Sequence, residues 1–141
     1  MIQFNYQTPV RIRHIRLLKS FLQDIIRSEK YTPGQLSFVF CTDDFLLQIN
    51  QQYLNHHDYT DIITFNLSEE RGIVSGEMYI SIDRIKDNAQ RFKVPTSTEL
   101  HRVMFHGILH LCGYNDKTNK QVVQMRERED HYLKLYAKRS T

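Results

Sequence analysis

The sequence is poor in cysteine and has no long apolar run, and both absences narrow the class of protein. Its two cysteines, Cys41 and Cys112, lie far apart and form no CxxC pair, as expected for free thiols in a reducing compartment. No stretch approaches the roughly 18 apolar residues that span a bilayer. The N-terminal MIQFNYQTP also lacks the basic and apolar regions of a secretory signal. We therefore expect a cytoplasmic protein without a membrane segment.

The overall composition is that of an ordinary globular chain. The 141 residues are 40% hydrophobic and 25% charged, which argues against disorder along the whole length and suits one domain over residues 1–141. The formal net charge is +3. So small an excess permits a polyanionic partner such as RNA but does not identify one.

Hydrophobic periodicity predicts a mixture of strands and helices. We expect strands at residues 2–6, 36–41, 61–67 and 77–81, with a turn at 32–34. Proline tolerates the first turn of a helix, so we expect the first helix to start at Thr8-Pro9 and to carry an apolar stripe as far as Ile25. The predicted fold class is α+β, with a small mixed sheet of about four strands packed with about five helices.

Capping signals place the last two helices. Thr96 and Glu99 have the spacing of a capping box, and Gly113 suits the left-handed residue that ends a helix. Thr118 and Gln121 form a second capping box at the start of a long C-terminal helix. The segment from 96 to 113 is apolar on nearly every side and is therefore expected to be buried.

Two histidines on that buried helix are the first indication of chemistry. His106 and His110 are four residues apart, so both imidazoles lie on one helical face. An HxxxH pair alone is weak evidence, but buried histidines need polar partners, and a metal ion would satisfy both. Asp116 follows the turn at Gly113 and can supply a carboxylate. Two imidazoles and a carboxylate form a common zinc set that leaves one position open.

The pattern differs from the zinc-protease motif HExxH. The general base of that motif follows the first histidine, and here the same position is Gly107, which cannot move a proton. A metalloprotease is therefore disfavoured. We interpret the glycine as keeping the open side of the metal uncluttered for a bulky substrate.

The segment HGILHLCGYND resembles the signature of the YbeY-type endoribonucleases, which is H-G-x-L-H-L-x-G-Y followed by an acidic residue and a third histidine. Residues 60–65 (TDIITF) resemble the family's T-D-V-L-S-F, and residues 76–81 (GEMYIS) resemble its G-D-I-x-I-S. Asn88-Ala89 and Glu99-Leu100 also fall in place. The likeness extends over about residues 35–125.

The resemblance implies a zinc-dependent, single-strand-selective endoribonuclease with one zinc ion per chain. Its expected partners are single-stranded RNA, rRNA and the ribosome or its small subunit, and its expected role is 3′-end maturation of small-subunit rRNA and ribosome quality control. Two positions depart from the family pattern. Asp116 replaces the third metal-binding histidine, and Leu54 stands where an arginine implicated in activity is usual, with His56 and His57 nearby.

Further candidates come from charge and position. Arg84, Lys86, Arg91 and Lys93 are predicted RNA contacts, although charge on a helix is usually a solvated face. Glu77, at a strand start, is a candidate for proton transfer or for a structural role. Cys112 is interpreted as a core residue, and His14, His101 and His131 as surface residues. A ribosome assembly factor with a structural zinc, or a hydrolase of a peptide or small phosphoester, remains an alternative.

Overall fold

The computed structural model describes residues 1–141 as nine elements. The four strands are β1 (Ile2–Tyr6), β2 (Thr32–Cys41), β3 (Ile62–Asn66) and β4 (Ile73–Ser81). The five helices are α1 (Ile15–Ser28), α2 (Asp43–Leu54), α3 (Ile82–Phe92), α4 (Thr96–Leu111) and α5 (Asn119–Arg139). The predicted α+β class, with four strands and five helices, is confirmed. None of the helices combines the length and apolarity needed to cross a membrane.

The strands form one mixed sheet in the order β1-β2-β4-β3. β2 runs parallel to both β1 and β4, whereas β3 pairs with β4 antiparallel. Side chains alternate between the two faces along each strand. One face carries Phe38, Phe40, Met78 and Ile80 into the main core with α1, α4 and α5. The opposite face packs a small cluster of Cys41, Leu46 and Ile63 with α2.

The metal-candidate helix α4 approaches the sheet very closely, and Gly107 makes that approach feasible. A Cβ at Gly107 would lie 2.8 Å from Ile62 Cδ1 and 3.0 Å from Met78 Sδ, so the sheet side chains occupy the space of the missing side chain. Our interpretation that this glycine keeps the metal's open side uncluttered is therefore corrected. Gly107 faces the sheet and serves helix–sheet packing.

Two local predictions in the first part of the chain were wrong for identifiable reasons. α1 begins at Ile15 instead of Thr8-Pro9, because Val10 and Ile12 pack on the core with the two-residue alternation of extended chain. Residues 32–34 belong to β2, where a register shift between Pro33 and Leu36 absorbs the turn signal.

The caps of the last two helices had different outcomes. Pro95 occupies the N-cap of α4, so Thr96 lies inside the helix and its hydroxyl caps nothing. The capping box of Thr118 and Gln121 at the start of α5 is confirmed. Gly113, with φ of 103°, turns the chain immediately after α4, as predicted.

Candidate metal centre

The structure brings two of the three predicted zinc ligands into direct contact. His106 and His110 lie one turn apart on α4, and the turn at Gly113 leads the chain back across the end of the helix. As a result, Asp116 Oδ2 lies 3.3 Å from His106 Nε2. His106 is half-buried, whereas Asp116 is exposed.

A buried carboxylate on α5 orients His106. The Nδ1–H group of His106 donates to Glu129 Oε2 at 2.7 Å, and Glu129 is only 4% exposed. Arg102 donates to the other oxygen of Glu129 at 3.0 Å and to Asp130 at 2.6 Å. A carboxylate on Nδ1 fixes the ring and directs Nε2 outward, which is the usual support of a metal-binding histidine.

His110 is oriented in the same sense by the backbone of the following loop. Its Nδ1–H donates to the carbonyl oxygen of Tyr114 at 3.1 Å, because a carbonyl can only accept. The proton on Nδ1 leaves Nε2 of the neutral ring with a free lone pair. Both histidines therefore hold Nε2 available for a metal ion.

The loop that provides this carbonyl is itself tied to the end of α1. Tyr114 Oη donates to Glu29 Oε1 at 2.8 Å, and Arg128 donates to the other carboxylate oxygen at 3.0 Å. The hydroxyl of Tyr132 donates to that same oxygen. Burial raises the pKa of Glu29, but the three donors outweigh burial and lower it below its usual value. Glu29 is therefore a charged anchor for the loop between α4 and α5, which carries Tyr114 and Asp116 and which we call the metal loop.

Electrostatics around His106 favour a cation. Burial alone would lower the pKa of His106, but the hydrogen bond and charge of Glu129 outweigh burial. The charges of Asp116 and Asp61 add to this effect, and the pKa of His106 is raised. A site that stabilises an imidazolium by negative charge also stabilises a bound divalent ion.

Two imidazoles and a carboxylate are ligand types that zinc prefers, although the three side chains do not surround a single metal position in this conformation. No group of three His, Cys, Asp or Glu side chains is placed to hold a metal ion. Both imidazoles present Nε2, and the exposed Asp116 carboxylate adjoins His106. Because Asp116 is exposed, its side chain can rotate toward an ion held by the two histidines without disturbing the core. His106, His110 and Asp116 are therefore suited to hold zinc.

A cavity of about 320 Å³ opens beside His106 and Asp116. Its polar wall gathers residues from four elements or their ends: Asp61, Asn88, Glu99, Arg102, Arg126 and Glu129. Burial raises the pKa of Asp61, and burial followed by the charge of Asp61 raises that of Glu99. Three residues from different motifs of the family resemblance thus line one cavity: Asp61, Asn88 and Glu99.

Glu77 lies away from this cavity. Along β4, Gly76 and Met78 face α4, so Glu77 points to the opposite face of the sheet, where its carboxylate accepts from Tyr79 Oη at 3.4 Å. The structure therefore does not bring Glu77 together with His106, and Glu77 does not line the cavity beside that residue.

The four predicted RNA contacts fall into two groups. Arg84 pairs with Asp43 at 2.8 Å, and Arg91 pairs with Asp87 at 3.4 Å, so both guanidiniums have acidic partners. Lys86 lines a separate cavity beside the start of α4. Lys93 ends α3 in the left-handed conformation. None of the four lines the cavity beside His106.

Other sequence interpretations had mixed outcomes. Cys112 is a buried core residue, as predicted. His14 and His131 are exposed as predicted, but His101 is half-buried between α4 and α5, where it contacts Tyr136. Leu54 is exposed at the end of α2.

Glu129 and Arg102, which support the site directly, were not predicted from the sequence. Glu129 lies 23 residues after His106 and sits in a run of charges on α5 that reads as a solvated face. The sequence did contain one indication of this support: Arg102 precedes His106 by four residues on α4, so the two side chains lie on the same face of the helix.

Comparisons with known proteins found relatives over nearly the whole chain. A family model described as Endoribonuclease YbeY matches residues 2–137. A Flavobacterium psychrophilum protein named Endoribonuclease YbeY is 46% identical over 138 residues, 96% of each chain. A Cytophaga hutchinsonii protein of the same name is 46% identical over 132 residues, 94% of this chain and 92% of that one. The solution structure of a Thermotoga maritima protein superposes with a TM-score of 0.65 at 29% identity, covering 96% of this chain and 89% of that chain.

Proposed function

The chain belongs to the endoribonuclease YbeY family, and on that premise we propose that it is a zinc-dependent endoribonuclease that cuts single-stranded RNA. Its substrate is rRNA on or near the small ribosomal subunit, and its role is 3′-end maturation and ribosome quality control. The proposed metal ligands are His106, His110 and Asp116, with one zinc ion per chain. The observation that supports this proposal is the pair of α4 histidines, each with its Nδ1–H engaged by an acceptor, and with Asp116 3.3 Å from Nε2 of His106.

Each residue around the site has a physical role in this proposal. Glu129 holds the His106 ring in the tautomer that presents Nε2, and Arg102 keeps the Glu129 carboxylate in place. The Tyr114 carbonyl does the same for His110. A bound zinc ion supplies Lewis acidity toward a phosphodiester oxygen. Three protein ligands leave one position open, which suits hydrolysis better than a closed structural site.

The cavity beside the ligands supports selectivity for single strands. A volume of about 320 Å³ accepts a nucleotide-sized group but not a duplex. Arg126 lies in its wall, where a guanidinium can contact a phosphate of the strand. A flexible single strand can present one nucleotide at a time to such a cavity, whereas a paired strand is held in its helix.

The test combines metal content with RNA cleavage. We expect about one zinc ion per chain in the wild type, loss of most zinc in His110→Ala, and unchanged zinc in the exposed control His131→Ala. Cleavage of single-stranded RNA should disappear in His110→Ala and on chelation, and return when zinc is added back to the wild type. Cleavage that survives complete metal removal would refute the proposal. Zinc-loaded protein that binds ribosomes but never cuts RNA would favour a non-catalytic assembly factor.

A further inference from the structure

The cavity beside the metal ligands is poorly suited to attract RNA by itself. Four carboxylates line it, from Asp61, Glu99, Asp116 and Glu129, against the two guanidiniums of Arg102 and Arg126, so that even with a divalent ion bound the cavity would have no excess of positive charge. RNA is a polyanion whose binding energy comes largely from cations that contact its phosphates. A protein with this cavity therefore needs cations elsewhere to hold an RNA strand.

One other surface of the protein is lined by cations and has no carboxylates. Two adjoining cavities of about 290 and 720 Å³ share Arg11, Ser97 and Leu100, and we call them together the cationic groove. The groove is lined by the cations Arg11, Arg13 and Lys86 and by no carboxylate. Each of the other three main cavities contains at least one Asp or Glu.

The two arginines of the groove are exposed and form no ion pair with an acidic residue. Val10 and Ile12 pack on the core, so that Arg11 and Arg13 point outward by alternation. No Asp or Glu occurs between residues 7 and 23. The ion pairs of the protein engage six of its arginines, and neither Arg11 nor Arg13 is among them. Two guanidiniums that line one cavity without an acidic partner repel one another, and a bound anion would relieve this repulsion.

One feature of the wall adds to the positive potential, and a second contributes no charge. The N-terminus of α4 lies in the groove at Thr96 and Ser97, and no side chain caps it, so the positive end of the helix dipole is available. His101 also lines the groove, and burial lowers the pKa of its imidazole to about 4. His101 is therefore neutral at physiological pH, and the groove holds no negative charge that would compete with a phosphate.

We propose that the cationic groove binds phosphates of a single-stranded RNA at a distance from the metal centre. This inference rests on the proposed function and adds a second RNA contact to it. On α4, Glu99, Arg102 and His106 face the metal cavity, whereas Ser97, Leu100 and His101 face the groove. At 100° per residue these two sets lie on opposite sides of the helix. A strand bound at both places passes around the N-terminal half of α4.

The test measures binding of a fluorescent single-stranded oligoribonucleotide to the full-length protein by anisotropy, in chelator so that the strand stays intact. Arg11→Gln with Arg13→Gln should weaken binding about tenfold and reduce the slope of log affinity against log salt by about 1.4, which is about 0.7 for each lost phosphate contact. The matched control is Lys134→Gln with Lys138→Gln, which removes two exposed α5 cations that do not line the groove. The control should leave both affinity and slope within about twofold of the wild type.

Other results would overturn the proposal. Equal losses in the Arg and Lys pairs would mean that only net charge matters. Full displacement of the RNA by polyglutamate at equal charge concentration would identify the groove as a site for acidic protein segments instead of phosphates. The results also distinguish failure of the groove proposal from failure of the proposed nuclease function. Zinc-dependent cleavage with wild-type binding in the Arg pair refutes only the groove, whereas Arg-dependent binding without any zinc or cleavage refutes only the proposed function.

Discussion

Removal of one hydroxyl group, in Tyr114→Phe, should weaken zinc binding although Tyr114 is not a proposed ligand. Its hydroxyl donates to the charged carboxylate of Glu29 at 2.8 Å, while its carbonyl accepts from His110. A hydrogen bond to a charged group contributes about 1.5–3 kcal/mol. Without it, the loop that orients His110 and carries Asp116 is tied to the fold less firmly. Loss of such indirect support typically weakens metal affinity about 10- to 100-fold.

The matched control for this prediction is Tyr132→Phe. The hydroxyl of Tyr132 donates to the same carboxylate of Glu29, but Tyr132 lies on α5, away from the metal loop. Both variants should lower the free energy of unfolding by a similar amount, about 1.5–3 kcal/mol, in urea titrations. Zinc affinity, measured by competition with a chromogenic chelator, should fall only in Tyr114→Phe. Wild-type affinity in that variant, or an equal loss in Tyr132→Phe, would refute the reasoning.

Three further outcomes are expected. Asp116→Ala should weaken zinc binding strongly, whereas Asp116→His should preserve it. If the alanine variant keeps wild-type affinity in the chelator assay, the carboxylate is not a ligand. Gly76→Ala should reduce the free energy of unfolding by about 1–3 kcal/mol, because its Cβ would lie 2.7 Å from the carbonyl oxygen of Phe65. An unchanged urea midpoint would exclude that clash. Because the pKa of His101 falls to about 4 on folding, the unfolded chain binds more protons between that pH and 6.5, and stability should fall as pH drops through this window. His101→Gln should flatten the dependence in urea titrations across the window, and an identical profile would show that His101 does not contribute.

The sequence predicted those parts of the site that are local in the chain. His106 and His110 share a helical face because they are four residues apart, and Gly113 identifies the turn that returns Asp116 toward them. The residues that orient these ligands from distant parts of the chain could not be predicted from local sequence patterns. Glu29 is 85 residues from Tyr114, and nothing in the chain around it distinguishes this carboxylate from a solvated one. Only the packing of α1 against α4 and α5 brings it there.

The first-helix error has the same origin. Ile12 continues the helical spacing of the apolar residues of α1 in the sequence, but in the structure Val10 and Ile12 lie in extended chain, where they contact the core. Proline at position 9 is compatible with both conformations, so local propensity could not decide between them. The sheet was easier to predict, because its strands are dense in β-branched and aromatic residues whose two faces are both covered.

The polar residues of α4 explain why a helix so apolar carries the proposed chemistry. The helix packs against β3, β4, α1, α3 and α5, and from residue 99 to its end only four positions are not buried. Arg102, His106 and His110 are three of them, and each follows the previous one by a single turn. They form one stripe, and the fourth position, His101, lies across the helix at the cationic groove. Because the other side chains are buried from residue 99 onward, an ion or a phosphate can reach this part of α4 only at the stripe or at His101. A polar stripe with helical spacing on an otherwise apolar helix is therefore a stronger indication of a site than the histidine pair alone.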